Sequence, residues 1–291
     1  MKRGIILINA YAKADSELNG ARRMKEELES LGVQVEVKRN FITSGVISGC
    51  LEGYLDADFC IYFDKDKYSG EILEQTGMRI FNRPHAIADC DDKMRTLIAL
   101  QGFPMPDTLS GPLCYLPEEP LKDGLCEEVV RRLGLPVIVK ECFGSLGKGV
   151  YKADTMCQLR EIAEQVKCKP HLFQKFIAES VGRDVRVIVI GGKVYVSMLR
   201  TSTNDFRSNV ELGGKGEAFC LDSEGMRLCE RVAKQLGLDY CGIDLLLADE
   251  GYLICEVNSN AFFGGIERVT GKNVAQAYAS HIMREVYGKN G

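Results

Sequence analysis

Asp244, Glu256 and Asn258 are two acids and an amide at spacings that suit a metal ion. They fall in a stretch that reads as a β-hairpin, residues 241–258, with its turn centred on Glu250. That register sets Asp244 across from Glu256, and strand alternation puts Asn258 on the same face. Ile243, Leu245, Leu247, Leu253, Cys255 and Val257 then share the opposite, wholly apolar face. Opposed carboxylates repel unless a cation sits between them. A hard ion with oxygen ligands, such as Mg²⁺ bridging phosphates, needs only one or two carboxylates and an amide oxygen. A solvated polar sheet face gives the same pattern, and the hairpin alone leaves both readings open.

A second group of residues suits phosphate. Gly144, Ser145, Gly147 and Gly149 let backbone N–H groups approach an anion closely, and Lys148 adds charge. Lys140, at the end of the preceding strand, can aim at the same place. The spacing is not that of a P-loop, and a strand rather than a helix follows it, which excludes the P-loop and dinucleotide-fingerprint readings. A plain glycine-rich hairpin tip stays open as the alternative. Arg186, and Arg207 within Asp205-Phe206-Arg207-Ser208-Asn209, suit bidentate contacts to phosphate or carboxylate, although such residues taken singly are usually surface charges. Cations, a flexible glycine lid and paired acids are together the parts phosphoryl transfer requires.

Positioning these residues takes an ordinary globular chain. The 291 residues allow two to three domains, with 45% hydrophobic residues for a core and 27% charged residues for a surface. The net charge of −4 argues against a generic nucleic-acid binder. Twelve cysteines occur with no Cys-x-x-Cys, and the three histidines (His85, His171 and His281) form no metal motif. Reduced cysteines in a cytoplasmic protein are therefore expected. The apolar run at 5–8 is too short for a signal or a membrane span.

Strands are predicted at 4–10, 33–37 and 58–63, with a helix over 16–31 whose stripe is Leu18, Ala21, Met24, Leu28 and Leu31. This opening looks like a Rossmann-type layer without the glycine fingerprint of a nicotinamide site. Asn82-Arg83-Pro84 marks a boundary before a helix at 91–101. Strands at 136–140 and 150–153 bracket the glycine loop, and a helix over 155–167 leads to a strand at 172–177. Strands at 185–190 and 194–199 join through Gly191-Gly192. A helix capped by Ser223 and Gly237, the hairpin and a helix over 274–287 complete the chain.

At this point the chain resembles the ATP-grasp superfamily, and within it the RimK-like glutamate ligases. The matching stretches are Asp92-Lys93-Met94-Arg95, Val139-Lys140 with the loop 144–149, and Gln174-Lys175-Phe176-Ile177. They continue through Asp184-Val185-Arg186, residues 205–209, Gly242-Ile243-Asp244, Glu256-Val257-Asn258 and Gly265-Ile266-Glu267. The resemblance covers nearly the whole chain and is densest over 93–271. It implies an α/β fold, α+β in the grasp itself. A Rossmann-like pre-ATP-grasp domain over 1–83 would precede two grasp lobes: a central one with the glycine lid (84–174) and a C-terminal one with the metal site (175–291).

The resemblance also implies roles. Lys93 and Lys140 hold nucleotide phosphates under the lid, Gln174, Lys175, Phe176 and Ile177 form the adenine hinge, and Asp184 lies near the ribose. Arg207 and Asn209 meet the transferred phosphate, and Arg186 steadies an acyl phosphate. Asp244, Glu256 and Asn258 bind one or two Mg²⁺, with Mn²⁺ as a substitute. The implied reaction joins a carboxylate acceptor, small molecule or peptide or protein, to an amino acid such as glutamate, using ATP. A ligase for a small metabolite or an amino-group carrier protein, and a non-catalytic ATP-binding protein, are the alternatives. No nucleic-acid or membrane partner is implied, and a homo-oligomer is compatible. Two departures stand out. Ser259-Asn260-Ala261-Phe262-Phe263-Gly264-Gly265 replaces the usual Ala-Ser-Pro-Gly after the metal asparagine, and Lys175 stands where an acid is common.

Overall fold

A computed structural model describes residues 1–13, 15–145, 147–203, 206 and 214–288, without the side chains of 15–17. Its first sheet is parallel, in the order β2-β1-β5-β6. Here β1 is Arg3–Asn9, β2 Gln34–Asn40, β5 Phe59–Phe63 and β6 Arg79–Phe81. Helix α1 (Asp15–Ser30) lays Ala21, Met24 and Leu28 on Ile6 and Ile8, while the expected stripe members Leu18 and Leu31 are exposed at its two ends. Between β2 and β5 lies a hairpin absent from the sequence reading, β3 (Ser44–Ile47) with β4 (Cys50–Gly53). Its Ser48-Gly49 turn has positive φ at both residues (51° and 80°), as a two-residue hairpin of the favoured twist requires. Helix α2 (Lys67–Gln75) leads to β6.

The helix expected at 91–101 is α4 (Lys93–Ala99), and a helix the sequence did not suggest, α3 (Pro84–Asp91), precedes it. Asp92 divides them, because its carboxylate caps α4 by accepting the N–H groups of Met94 and Arg95. The second sheet is antiparallel, in the order β7-β10-β8-β9. It comprises β7 (Thr108–Ser110), β8 (Val137–Glu141), β9 (Val150–Ala153) and β10 (His171–Lys175). Helices α5 (Leu125–Leu133) and α6 (Met156–Val166) cover one face through Val129, Leu133, Leu159 and Ala163 against Val137, Val139 and Phe173.

The third sheet is antiparallel, in the order β13-β12-β11-β14-β15. A short 3-10 turn, Ala178–Ser180, precedes β11 (Arg183–Ile190), β12 (Lys193–Thr201) and β13 (Lys215–Ala218). Helix α7 (Ser223–Leu236) follows, then β14 (Tyr240–Ala248), β15 (Gly251–Asn258), α8 (Gly264–Thr270) and α9 (Val274–Tyr287). The cap of α7 is Asp222 rather than Ser223: the aspartate accepts the Gly225 N–H and Ser223 is already helical. Alternation along β11 explains how this sheet serves two masters. Val185, Val187 and Val189 face α7, whereas the other face begins with Asp184 and Arg186 and ends with Ile188 and Ile190 beneath α9.

The hairpin register is the expected one at the acidic pair and slips by one residue toward the turn. Asp244 pairs with Glu256 and Gly242 with Asn258, as expected. A one-residue bulge then sets Leu245 opposite Ile254, so Ile254 rather than Leu253 or Cys255 joins Ile243, Leu245 and Val257 in the core. All twelve cysteines are free. No helix among the described residues is long and apolar enough to cross a membrane.

Candidate functional site

The third sheet carries a ladder of charge from strand to strand. Asp184 on β11 pairs in register with Arg200 on β12, Arg186 with Asp244 on β14, and Asp244 with Glu256 on β15. Side chains follow the register. Arg200 clamps Asp184 with two N–H donors at 2.7 and 2.6 Å and reaches Asp244 at 2.9 Å. Arg186 holds both oxygens of Asp244, one through Nε and the other through Nη2 at 2.8 Å. Burial would raise the Asp244 pKa, but the two guanidinium groups outweigh it and hold the carboxyl below the usual range. Arg200 is itself 4% exposed, and its carboxylate partners keep it charged despite burial.

The cations expected at phosphate converge on this face. Lys93 donates from Nζ to the Gly144 carbonyl at 2.9 Å and stands 3.9 Å from Glu256. Lys140 is buried, with Nζ 3.8 Å from Cys255 Sγ. The bulge turns that cysteine away from the core; its thiol pKa is raised by burial, against the pull of Lys140. Gly147 and Gly149 have φ of 74° and 70°, a conformation that glycine takes without strain. A Cβ on Gly149 would also press the Glu141 side chain at 3.0 Å.

Lys93, Lys140, Gly144, Gly147, Cys255 and Glu256 line one cavity with Ser145, Lys148, residues 174–177 and Asp184. Gln174 is buried and donates to Thr108 Oγ1 at 2.9 Å, and the Lys175 N–H bonds the Asp107 carbonyl. Lys152 lies over the Phe176 ring. A second cleft, of about 950 Å³, opens on the other side of the same face. Its walls come from the strand ends of the first sheet (Ile8, Asn9, Phe63, Asp64) and from the segment 260–266. Ser145, Arg200 and Glu256 line both spaces, so the two meet there.

The donors suit a hard divalent cation. Asp244 and Glu256 are carboxylates in direct register, and Asn258 supplies an amide oxygen on the same strand. A carboxylate has about four lone-pair sites. The guanidinium contacts on Asp244 therefore leave room for a ligand. No group of three or more His, Cys, Asp or Glu side chains fit for a metal occurs among the described residues. The Asn258 amide would thus be the necessary third donor.

Most residues singled out in the sequence come together: Lys93, Lys140, Gly144, Ser145, Gly147 and Lys148 of the loop, residues 174–177, Asp184, Arg186, Asp244, Glu256 and Asn258; Gly149 is not among the residues lining either space. Arg207, Asn209 and Asp205 lie outside the described residues. Arg200 escaped the sequence reading. Counting back from the Gly191-Gly192 turn sets Asp184 opposite Leu199, but a bulge at Tyr195 shifts the register by one and brings Arg200 onto the charged face. The missed signal was an arginine within one residue of register with an acid in the neighbouring strand.

This architecture is that of the ATP-grasp fold. The D-alanine–D-alanine ligase of Bacillus anthracis superimposes with a TM-score of 0.76 at 16% identity, covering 99% of this chain and 98% of that one. The ATP-grasp ligase PsnB complexed with minimal precursor gives 0.70 at 19% identity, covering 97% and 99%. At these identities the likeness is one of fold. Residues 91–282 match the RimK-like ATP-grasp domain, and the chain belongs to that family.

Among its relatives, human (Homo sapiens) N-acetylaspartylglutamate synthase A is 39% identical over 216 residues, 72% of this chain and 54% of that protein. Human beta-citrylglutamate synthase B is 40% identical over 214 residues, again 72% and 54%. The chain thus spans about half the length of these two. The probable alpha-L-glutamate ligase 2 of Pseudoalteromonas atlantica is 30% identical over 299 residues, 97% of each chain.

Proposed function

We propose that the chain is an ATP- and Mg²⁺-dependent carboxylate–amine ligase that adds glutamate, or a similar amino acid, to a carboxylate acceptor. The observation that carries this reading is the meeting of two spaces at Ser145, Arg200 and Glu256. One space has the lysines and glycine loop suited to a nucleotide triphosphate; the other is large enough for acceptor and amine. The acceptor carboxylate attacks the γ-phosphorus, the bond to the bridging oxygen breaks, and ADP leaves. The amine nitrogen then attacks the acyl carbon of the acyl phosphate, loses a proton, and expels inorganic phosphate to leave an amide.

Each residue has a part in this scheme. Lys93 and Lys140 neutralise phosphate oxygens, and the loop 144–149 covers them and excludes water that would hydrolyse the acyl phosphate. Asp184 stands at the ribose end, and residues 174–177 form the adenine hinge. Asp244, Glu256 and Asn258 would hold Mg²⁺, which would supply charge neutralisation at the phosphates. Arg186 steadies the acyl phosphate, and Arg207 and Asn209 serve the transferred phosphoryl group. Residues 1–83 and 260–266 choose the acceptor side, within a division at about 83 and 174. Glutamate is favoured because the names of all three relatives contain it, and because Arg22 and Arg268 line the open cleft and suit a substrate carboxylate.

The test is ADP release across a panel of carboxylates and amino acids, with products identified by mass spectrometry. Acceptor-dependent ADP release with an amide of matching mass is expected. ATP turnover indifferent to every acceptor and amine would overturn the ligase reading.

A further inference from the structure

The segment that departs from the family pattern after Asn258 is tied twice to the first sheet. Asn82, buried beyond the end of β6, donates its Nδ2 to the Ser259 carbonyl at 2.8 Å and to the Tyr240 carbonyl at 2.7 Å. Its Oδ1 accepts the N–H groups of Asp239 and Tyr240 at 2.8 and 3.0 Å. Asn260 makes the second tie. Its backbone N–H bonds Asn258 Oδ1 at 3.0 Å, and its side-chain Nδ2 donates to the Asp64 carbonyl at 3.0 Å.

Asp64 is a rigid post for that bond. It is 6% exposed, and its carboxylate accepts from Asn9 Nδ2 (3.1 and 3.3 Å), Asn40 Nδ2 (3.0 Å) and the Lys65 N–H (2.7 Å). Asn9 and Asp64 lie at the carboxyl ends of β1 and β5, neighbours whose connections leave toward opposite edges of the sheet. Such a switch point is where parallel sheets open a ligand crevice. Here it forms one wall of the cleft, and the segment 260–266 forms the other. Asn260 therefore bridges the two walls while orienting the amide of Asn258.

We propose that Asn260 is a positioning residue through which the first sheet sets both the width of the acceptor cleft and the orientation of the Asn258 amide. The proposal rests on the reading of that cleft as the acceptor and amine site. Without the bridge, Ala261 and Phe263 are held to the first sheet by the apolar cluster that includes Ile8 and Ala12, so this wall can shift and carry with it the backbone N–H that orients the Asn258 amide. The nucleotide cavity, whose walls do not include Asn260, stays as it is.

The test uses the full chain with Asn260→Asp, which keeps the shape of the side chain but offers no N–H to the Asp64 carbonyl. KM for acceptor is expected to rise about tenfold, the scale of one lost hydrogen bond that leaves its partner facing an oxygen. KM for ATP should stay within about twofold, and the melting temperature within about 2 °C. In parallel, Mn²⁺ is titrated in the presence of ADP by electron paramagnetic resonance, and its Kd should rise several-fold. Unchanged acceptor KM with unchanged Mn²⁺ affinity, or an equal rise in both Michaelis constants, would overturn the proposal. If Asn260→Asp melts early, Asn260→Ala, which removes the donor without adding charge, replaces it in both readouts. Should the unmodified protein release no ADP with any acceptor, the ligase reading fails while the Mn²⁺ titration still decides the role of Asn260.

Discussion

The two spaces on either side of Glu256 are built differently. The proposed nucleotide cavity draws on the second and third sheets, and two of its lysines lie on regular elements: Lys93 opens α4, and Lys140 lies within β8. The proposed acceptor cleft joins strand ends of the first sheet to the segment after β15, stretches about 200 residues apart held by a shared apolar cluster (Ile8 and Ala12 with Ala261, Phe263 and Ile266) and by hydrogen bonds such as Asn260 to Asp64. Loops and strand ends accept sequence change more readily than packed elements. A shared chemistry on the first side and a variable substrate on the second is what that difference would support.

The sharpest way to break the comparison is at the wall the two spaces share. Glu256→Ala removes a charged group of the proposed cation site and is expected to lower amide formation about 10³-fold or more, measured as product by mass spectrometry. Near-normal turnover with Mg²⁺ and ATP would sink the metal assignment. Arg200→Met leaves Asp184 and Asp244 buried without one guanidinium, and a cost of about 3–5 kcal/mol in denaturant unfolding is expected. A loss under about 1 kcal/mol would mean that the ladder is dispensable.

Smaller effects separate the two sides. Lys140→Met should raise KM for ATP about 10- to 100-fold and leave the amine constant alone, the scale of a charge-assisted hydrogen bond. Arg268→Ala should do the reverse, raising KM for the amine about tenfold with ATP unaffected. Parallel shifts in both constants would merge the two spaces into one. Last, Cys255 lies on the nucleotide side with its thiol raised by burial. The reactive thiolate is therefore scarce at neutral pH and grows as pH climbs toward that raised pKa. Alkylation of Cys255 should be slower than that of exposed Cys157, should speed with pH, and should be slowed by ATP but not by acceptor, as read by peptide mass spectrometry.

Much of the nucleotide side was legible in the sequence because its residues obey local rules. Alternation placed Asp244, Glu256 and Asn258 on one face, and glycine spacing marked the loop between β8 and β9. The short elements were not legible. The β3–β4 hairpin hid in a stretch rich in glycine and serine, and α3 lay unmarked between the boundary at 82–84 and the helix expected from 91, although the capping carboxylate of Asp92 was there to be read. Nothing local in residues 9, 64 and 260 pointed to one wall.

The sequence by itself determined which chemistry was available: acids, amide, lysines and glycines at spacings that alternation turns into a face. The tertiary structure decided which of their neighbours joined them. Two single-residue bulges, at Tyr195 and Cys255, exchange Leu199 for Arg200 on the charged face and Cys255 for Ile254 in the core. A bulge shifts register by one, and with a side-chain period of two that reverses what each later residue faces. The bulged residues carry no local sign of their register, since it is fixed only when the neighbouring strands and the helices over them pack.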